Sequence, residues 1–145
     1  MKRLSIYLII GISLLLTSCH LVTSDNGDLD GLWQMTIMED LQTGEVSDGR
    51  DNSVSWAFQG GMVQMNGNTI PLNHVIGKFE KGGNSLRIYH MAIFTHSKGD
   101  TPIEDASMLE VVGITQLDEN FQILELNSNT LRLESAAKRL TFRKY

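Results

Sequence analysis

From Gly31 to the end of the chain, apolar and polar residues alternate along short runs separated by glycine-rich or polar breaks. Trp33, Met35 and Ile37 alternate with Gln34, Thr36 and Met38, the period of two by which a strand turns one face inward. Thr43-Gly44 and Asp48-Gly49 interrupt the run, and Val54, Trp56 and Phe58 then alternate with Ser53, Ser55 and Ala57 in a stretch rich in β-formers. Gly60-Gly61 stops or bulges that strand. Residues 62–65 and 69–72 flank Asn66-Gly67, and residues 75–81 and 84–94 flank Gly82-Gly83. Both patterns predict hairpins, because these turn residues tolerate positive φ. Residues 121–126, 130–134 and 139–145 follow as strands, joined by Asn127-Ser128-Asn129 and Ser135-Ala136-Ala137.

One interruption reads as helical. Thr101-Pro102-Ile103-Glu104 has capping-box spacing with proline at the first helical position, where its missing N–H costs nothing. Ile103, Ala106 and Leu109 then fall on one face before Gly113 ends the segment. The sum is an all-β domain: an antiparallel up-and-down barrel of about eight strands with one short helix. A closed barrel removes exposed edges, and eight strands enclose a space that side chains just fill or that holds one small ligand.

The first 30 residues follow a different pattern. Lys2 and Arg3 precede an almost unbroken apolar run over residues 4–16, and Leu16-Thr17-Ser18 leads into Cys19. A basic start, an apolar stretch of ~7–15 residues and small residues at its end describe a secretory signal peptide. The run is shorter than the ~20 apolar residues of a membrane span. Leu-Thr-Ser-Cys resembles the lipobox of bacterial lipoproteins. That resemblance implies a signal peptide over residues 1–18, cleavage before Cys19 and acylation of its thiol. The membrane is then a partner through an N-terminal lipid anchor, and two or more acyl chains make such an anchor stable. His20, rather than an aspartate, follows the cysteine, which by resemblance to lipoprotein sorting implies the outer membrane. Residues 19–30 read as the lipidated cysteine and a flexible acidic linker, with residues 31–145 as the barrel domain. The acidic run beyond Cys19 also resembles surface-export signals, which leaves the periplasmic face and the cell surface both open. Asn26, Asp28, Asp30 and Gly31 match the opening of a calcium loop, but its twelfth place holds Ile37 where a bidentate glutamate is needed. No metal or other cofactor is expected.

Charge and cysteine content narrow the partners. Of the 12 basic residues, Lys2 and Arg3 leave with the signal, so 10 face 17 acidic residues, a formal charge of −7. An acidic chain of this size offers no basic face for nucleic acid. Cys19 is the only cysteine, so an apolar core alone must hold the domain together.

Gly31-Leu32-Trp33 at the head of the first strand resembles the Gly-x-Trp signature of lipocalins. In that fold the tryptophan closes the barrel floor and a basic residue of the last strand packs across its indole. The resemblance implies Gly31, Trp33, Arg139 and Arg143 as the structural closure, with an arginine in cation–π contact of about 0.5–2 kcal/mol. Trp56-Ala57-Phe58-Gln59 and the segment from Leu140 to Tyr145 also resemble the small lipocalin-like lipoproteins of Gram-negative gut anaerobes. That family brings a fold and an address but no catalytic residues. The chain is shorter than the larger lipocalins and lacks their Thr-Asp-Tyr motif and disulfide, which bears on the depth of any ligand cup.

No hydrolase, zinc, phosphate-loop or dinucleotide motif occurs. His20, His74, His90 and His96 are scattered without ligand spacing, and the carboxylate pairs Glu104/Asp105 and Asp118/Glu119 fall on turns. A non-enzymatic protein is expected. Six methionines of the mature chain (Met35, Met38, Met62, Met65, Met91 and Met108) are suited to filling irregular gaps or lining a permissive pocket. Strand parity places Met35, Ile37, Trp56, Phe58, Met65, Ile88, His90, Leu124 and Leu133 on the inner face, as the wall of any cavity. The helix over about 102–110 would cap its open end. Two functions follow as expectations: binding of a small apolar or amphipathic ligand in the cell envelope, or a scaffold that contacts an envelope protein or glycan through the loops 41–52 and 95–105.

Overall fold

The computed structural model describes residues 24–68, 74–95 and 97–145. The expected signal peptide over residues 1–18, Cys19, His20, His96 and the expected strand 69–72 lie outside the described residues. Ten strands form one antiparallel sheet: β1 (Gly31–Asp40), β2 (Val46–Asp48), β3 (Ser55–Gln59), β4 (Met62–Asn66), β5 (Val75–Gly82), β6 (Ser85–Ile93), β7 (Thr101–Pro102), β8 (Glu119–Leu126), β9 (Thr130–Glu134) and β10 (Lys138–Lys144). The first and last strands pair from Trp33↔Lys144 to Asp40↔Lys138. That seam closes β1, β3, β4, β5, β6, β8, β9 and β10 into a ring of eight, with β2 and β7 as short additions.

Two long strands change partners along one edge, which is how a chain this short builds both a ring and a rim. The first half of β1 pairs with β3 and its second half with β2. The changeover lies at Gly49, where a Cβ would come within 2.8 Å of the Met35 side chain and 2.9 Å of its carbonyl oxygen. Only a residue without a side chain lets the strand pass so close. On the other side of the barrel, β6 pairs with β8 at its start and with β7 at its end.

Glycines set the tight turns at the end where β1 begins, here called the floor. Gln59 pairs with Met62 around Gly60-Gly61, with Gly60 at φ +59°. Gly82 pairs with Ser85 around Gly83-Asn84, with Gly83 at φ +58°. Glycine in the first central place gives the primed turns whose twist suits a hairpin. Thus Gly60-Gly61 is a turn rather than a bulge, and the second turn sits one residue later than the pattern suggests. Asn66-Gly67 makes no tight turn. Asn66 ends β4, Gly67 is buried, and the β4 ladder pairs instead with β5, from Met65↔Val75 to Met62↔Lys78.

Three bulges shift the inward phase. Along the β1–β10 ladder Met35 faces Phe142 while Ile37 faces Thr141, so Thr36 is extra and donates its hydroxyl to the Thr141 carbonyl at 3.1 Å. Between Ile76↔Ala92 and Lys78↔Tyr89, β6 carries the extra residue, at His90, whose φ of +51° is left-handed. Between Ile123↔Leu133 and Glu125↔Arg132, Leu124 is the extra residue. A bulge leaves one residue unpaired and moves the following side chains to the opposite face.

The helix is displaced as well. Thr101-Pro102 is not a helix start but pairs with Ala92 and Ile93 of β6. The helical segment is a 3-10 helix over Ala106–Val112, capped by Asp105, whose carboxylate accepts from the Ser107 N–H at 2.9 Å. It ends, as expected, at Gly113, in the left-handed region at φ +89°. Ile103, Leu109, Val112 and Ile114 pack it onto the core, while Ala106 is only half-buried.

The fold also begins earlier than Gly31. Leu29 is fully buried within a 3-10 turn over Gly27–Leu29. The Asp30 carboxylate accepts from Ser24 Oγ at 2.8 Å and Asn26 Nδ2 at 2.7 Å. Ser24 Oγ in turn accepts from the Gly60 N–H, and Asn26 donates to the Gly60 carbonyl. Residues 24–30 are therefore a strap across the floor, tied to the β3–β4 turn, and not a flexible linker.

Candidate functional site

Six of the nine residues expected to line a cavity point into the barrel: Met35, Trp56, Phe58, Met65, Ile88 and Leu133, none more than 2% exposed. The other three do not. Ile37 is 45% exposed and Leu124 is 39% exposed, and His90 is exposed beside the Tyr89 ring. Each follows or occupies a bulge, so parity read through the sequence fails at each. In their places Met38, Met91 and Leu126 turn inward against the core.

Among the described residues the inward side chains touch one another. The Trp56 ring lies 5.0 Å from Phe142, 5.9 Å from Phe121 and 6.1 Å from Phe58, centroid to centroid. Phe79 meets Phe58 edge-on at 5.1 Å. Trp33, Met35, Trp56, Met65, Leu86, Ile88, Leu131, Leu133 and Leu140 all have zero exposure, so no water-sized space adjoins them. Such contact is the close packing of a protein interior. The 3-10 helix finishes the filling at the end opposite the floor, where the Trp56 indole N–H donates to the Val112 carbonyl at 3.1 Å. Gly113 follows against Leu140, whose Cδ1 would lie 2.7 Å from an added Cβ.

At the floor, the Trp33 indole N–H donates to the Leu29 carbonyl at 2.8 Å. The cation across its ring is Lys144, with Nζ 4.9 Å from the centroid, and not Arg139 or Arg143. Lys144 stands directly opposite Trp33 in the ladder, and its ammonium also donates to the Asp28 carbonyl at 2.7 Å. Replacing Lys144 with methionine should lower stability by about 0.5–1 kcal/mol, the scale of an exposed cation–π pair, as read by urea unfolding. The arginines serve the seam by other contacts. Arg139 reaches Glu39 on β1 at 2.9 Å and Glu134 on β9 at 2.8 Å, and Arg143 donates to Gln34 at 3.1 Å.

At the barrel mouth, among the described residues, lies a hollow of about 280 Å³. Met38, Asp40, Glu45, Ser47, Glu110, Val111 and Lys138 line it. These come from the end of β1, from β2 and the turn before it, from the 3-10 helix and from the start of β10, so no local motif announces them. Met38 reaches the hollow only because of the bulge at Thr36. Asp40 and Lys138 pair at 2.8 Å across the seam. That ammonium holds the Asp40 carboxyl well below the usual carboxylate range, helped by the N–H groups of Thr43 and Gln42. A carboxyl depressed on folding adds stability that is fully present above its unfolded value near 3.8 and is lost as pH falls through the folded value. Asp40→Asn should therefore flatten part of the acid-side loss of stability below about pH 4 while leaving the melting curve's pH dependence between neutral and pH 5 unchanged.

His74 bonds Asn66 Oδ1 at 2.9 Å on the surface. Glu119, the one buried carboxylate in the described core, accepts from the Thr115 N–H, the Thr115 hydroxyl and the Gln116 N–H at 2.8–3.0 Å. It is fully employed in holding the turn after the helix. Among the described residues no three His, Cys, Asp or Glu side chains converge as metal ligands, and no described helix is long and apolar enough to cross a membrane.

The architecture is shared with solved structures. A lipocalin-like protein from Bacteroides uniformis superposes with a TM-score of 0.60 at 22% identity, covering 82% of this chain and all of that one. An uncharacterized protein from Bacteroides eggerthii superposes with a TM-score of 0.56 at 17% identity, covering 81% of this chain and 99% of that one. At such identities the likeness establishes the fold alone. No protein of curated function matches the chain. The model of the lipocalin-like domain, in contrast, matches residues 14–145. Signature tryptophan, closed eight-strand ring and sequence match agree: this chain belongs to the lipocalin-like domain family.

Proposed function

We propose that the protein is a non-enzymatic envelope module, tethered to the outer membrane by lipid on Cys19, whose barrel is a scaffold and whose outer surface binds a protein or glycan partner. The observation that carries this reading is the filled lumen. A carrier needs space for its cargo, and here Trp56, Phe58, Phe121 and Phe142 occupy the centre. Opening it would break the Trp56–Val112 hydrogen bond and expose Leu109 and Val112, both fully buried. At about 1.5–3 kcal/mol for each large side chain exposed, an apolar ligand would have to repay that cost before gaining affinity. What supports a contact role for the mouth is its hollow, where Glu45 and Glu110 stand beside the satisfied Asp40–Lys138 pair. Carboxylates over an apolar floor of Met38 and Val111 favour cationic or hydroxyl-bearing groups of a partner.

Cross-linking in intact cells tests the reading. One stoichiometric envelope partner is expected, and the cross-link should weaken several-fold when Glu110→Lys reverses charge at the mouth. A chain that cross-links to nothing but itself would argue against the module.

A further inference from the structure

The floor of the barrel carries an apolar patch that surrounds the point where the tether leaves. Leu32 on β1 is 41% exposed, Met62 at the start of β4 is 42% exposed, and Tyr145, beyond β10, is 71% exposed. The Tyr145 N–H bonds the Leu32 carbonyl, and Leu32 lies opposite the half-buried Ala57 of β3. A trough of about 320 Å³ runs on from there, lined by Ala57, Met62, Val63 and Ile76 between Gln59 and Gln64. These residues come from strands that are neighbours in the ring, so the patch is continuous around one side of one end.

The strap fixes where the chain departs. Ser24 and Asn26 are both hydrogen-bonded to Gly60, in the turn immediately before Met62. Only five peptide units separate Ser24 from Cys19, and a chain of that length spans no more than ~18 Å fully extended. A lipid held on Cys19 must therefore enter its bilayer within that distance of the β3–β4 turn. The opposite end also exposes Val46, Met108 and Leu117, but there Glu45, Asp51, Asp100, Glu104 and Glu110 outnumber the exposed Arg50 and Lys98, a net charge unsuited to an anionic headgroup surface. Asp25 and Asp28 share the floor, so apolar contact rather than net charge must seat it. Lys78, opposite Met62, and Arg143 flank the patch, with stems long enough to reach headgroups while their charges stay wet.

We infer that the bilayer surface itself is the occupant of this patch: the barrel rests on Leu32, Met62 and Tyr145, and its acidic mouth points away from the membrane. This inference rests on the lipid anchor proposed above and adds an orientation to it. It also explains why large apolar side chains stand exposed beside the tether, since an interface buries a shallow apolar face against the headgroup and acyl boundary.

The test uses the mature, acylated protein in vesicles of phosphatidylcholine and phosphatidylglycerol that contain brominated acyl chains. Acylation occupies the Cys19 thiol, so single labels can be placed through Met62→Cys, Leu32→Cys and, at the mouth, Ser47→Cys. Fluorophores on the first two should be quenched several-fold more strongly than the one on the third. Equal quenching at all three sites, on protein that floats with the vesicles, would overturn the orientation while leaving the anchor intact. Flotation and the mass of the N-terminal peptide report the anchor separately. A chain without lipid at Cys19 would overturn the anchor and the seat together.

Discussion

Trp56→Ala should lower the unfolding free energy by about 3–5 kcal/mol, the range for large aromatic deletions in close-packed cores. The loss has two parts. Three ring contacts disappear, with Phe58, Phe121 and Phe142, and the cavity left behind cannot collapse because the surrounding ring is closed by β1 and β10. The Val112 carbonyl also loses the indole N–H that satisfies it, and a buried acceptor left alone costs about 1–3 kcal/mol. Trp56→Phe keeps most of the ring contact and loses only the donor, so it should fall near the smaller figure. Urea unfolding of the two variants separates the parts. Trp33→Ala belongs to the same range, since Trp33 is fully buried and bonded to Leu29. An unchanged midpoint for Trp56→Ala would mean that the lumen is not packed as described.

The second large effect concerns location. If Cys19 carries the lipid, Cys19→Ser should abolish incorporation of labelled palmitate completely and leave residues 1–18 uncleaved, visible as a heavier chain. Each buried CH₂ of an acyl chain adds about 0.8 kcal/mol to membrane attachment, so no surface contact of the barrel substitutes for the loss. Label retained on the variant, or a mature N-terminus at any residue other than 19, would contradict the anchor.

Much of the fold is legible in the sequence because period-two alternation is strict wherever strands pair without interruption. Trp33, Met35, Trp56, Phe58 and Met65 all alternate as expected and all reach the core. The legibility ends at the bulges. Thr36, His90 and Leu124 each add one residue to a strand, and an ordinary threonine, histidine or leucine carries no sign of that role. A positive φ at His90 in particular is a backbone state that tertiary structure imposes. The same limit explains the basic residue over Trp33. The last strand offers Lys138, Arg139, Arg143 and Lys144, and register alone decides that Lys144 faces the indole. Thr101-Pro102 misleads for a related reason, because a capping-box spacing is equally compatible with a two-residue edge strand. The mouth hollow is the least legible part. Its residues lie on four separate segments, and only ring closure brings Asp40 to Lys138.

The floor is a case where a resemblance and a structure divide the explanation. Trp33 of the Gly-x-Trp segment is buried at the floor and bonded to Leu29, and Gly31, at φ +115°, turns the strap into β1. The strap itself reads as polar linker in the sequence, because Ser24, Asn26 and Asp30 satisfy one another and Gly60 instead of water. Leu29 is the single apolar residue in that run to reach the core. If Cys19 carries the lipid, this arrangement puts the point where the chain leaves the barrel at the β3–β4 turn, as the proposed orientation requires.

The account depends most on a barrel filled by its own side chains. Titrating the mature protein with a long-chain fatty acid while following tryptophan fluorescence tests that directly, because Trp33 and Trp56 are the only two indoles and both are fully buried. No saturable change is predicted, even with the fatty acid in excess. A one-to-one change that disappears when Met65→Phe adds bulk to the lumen would contradict it and favour a carrier.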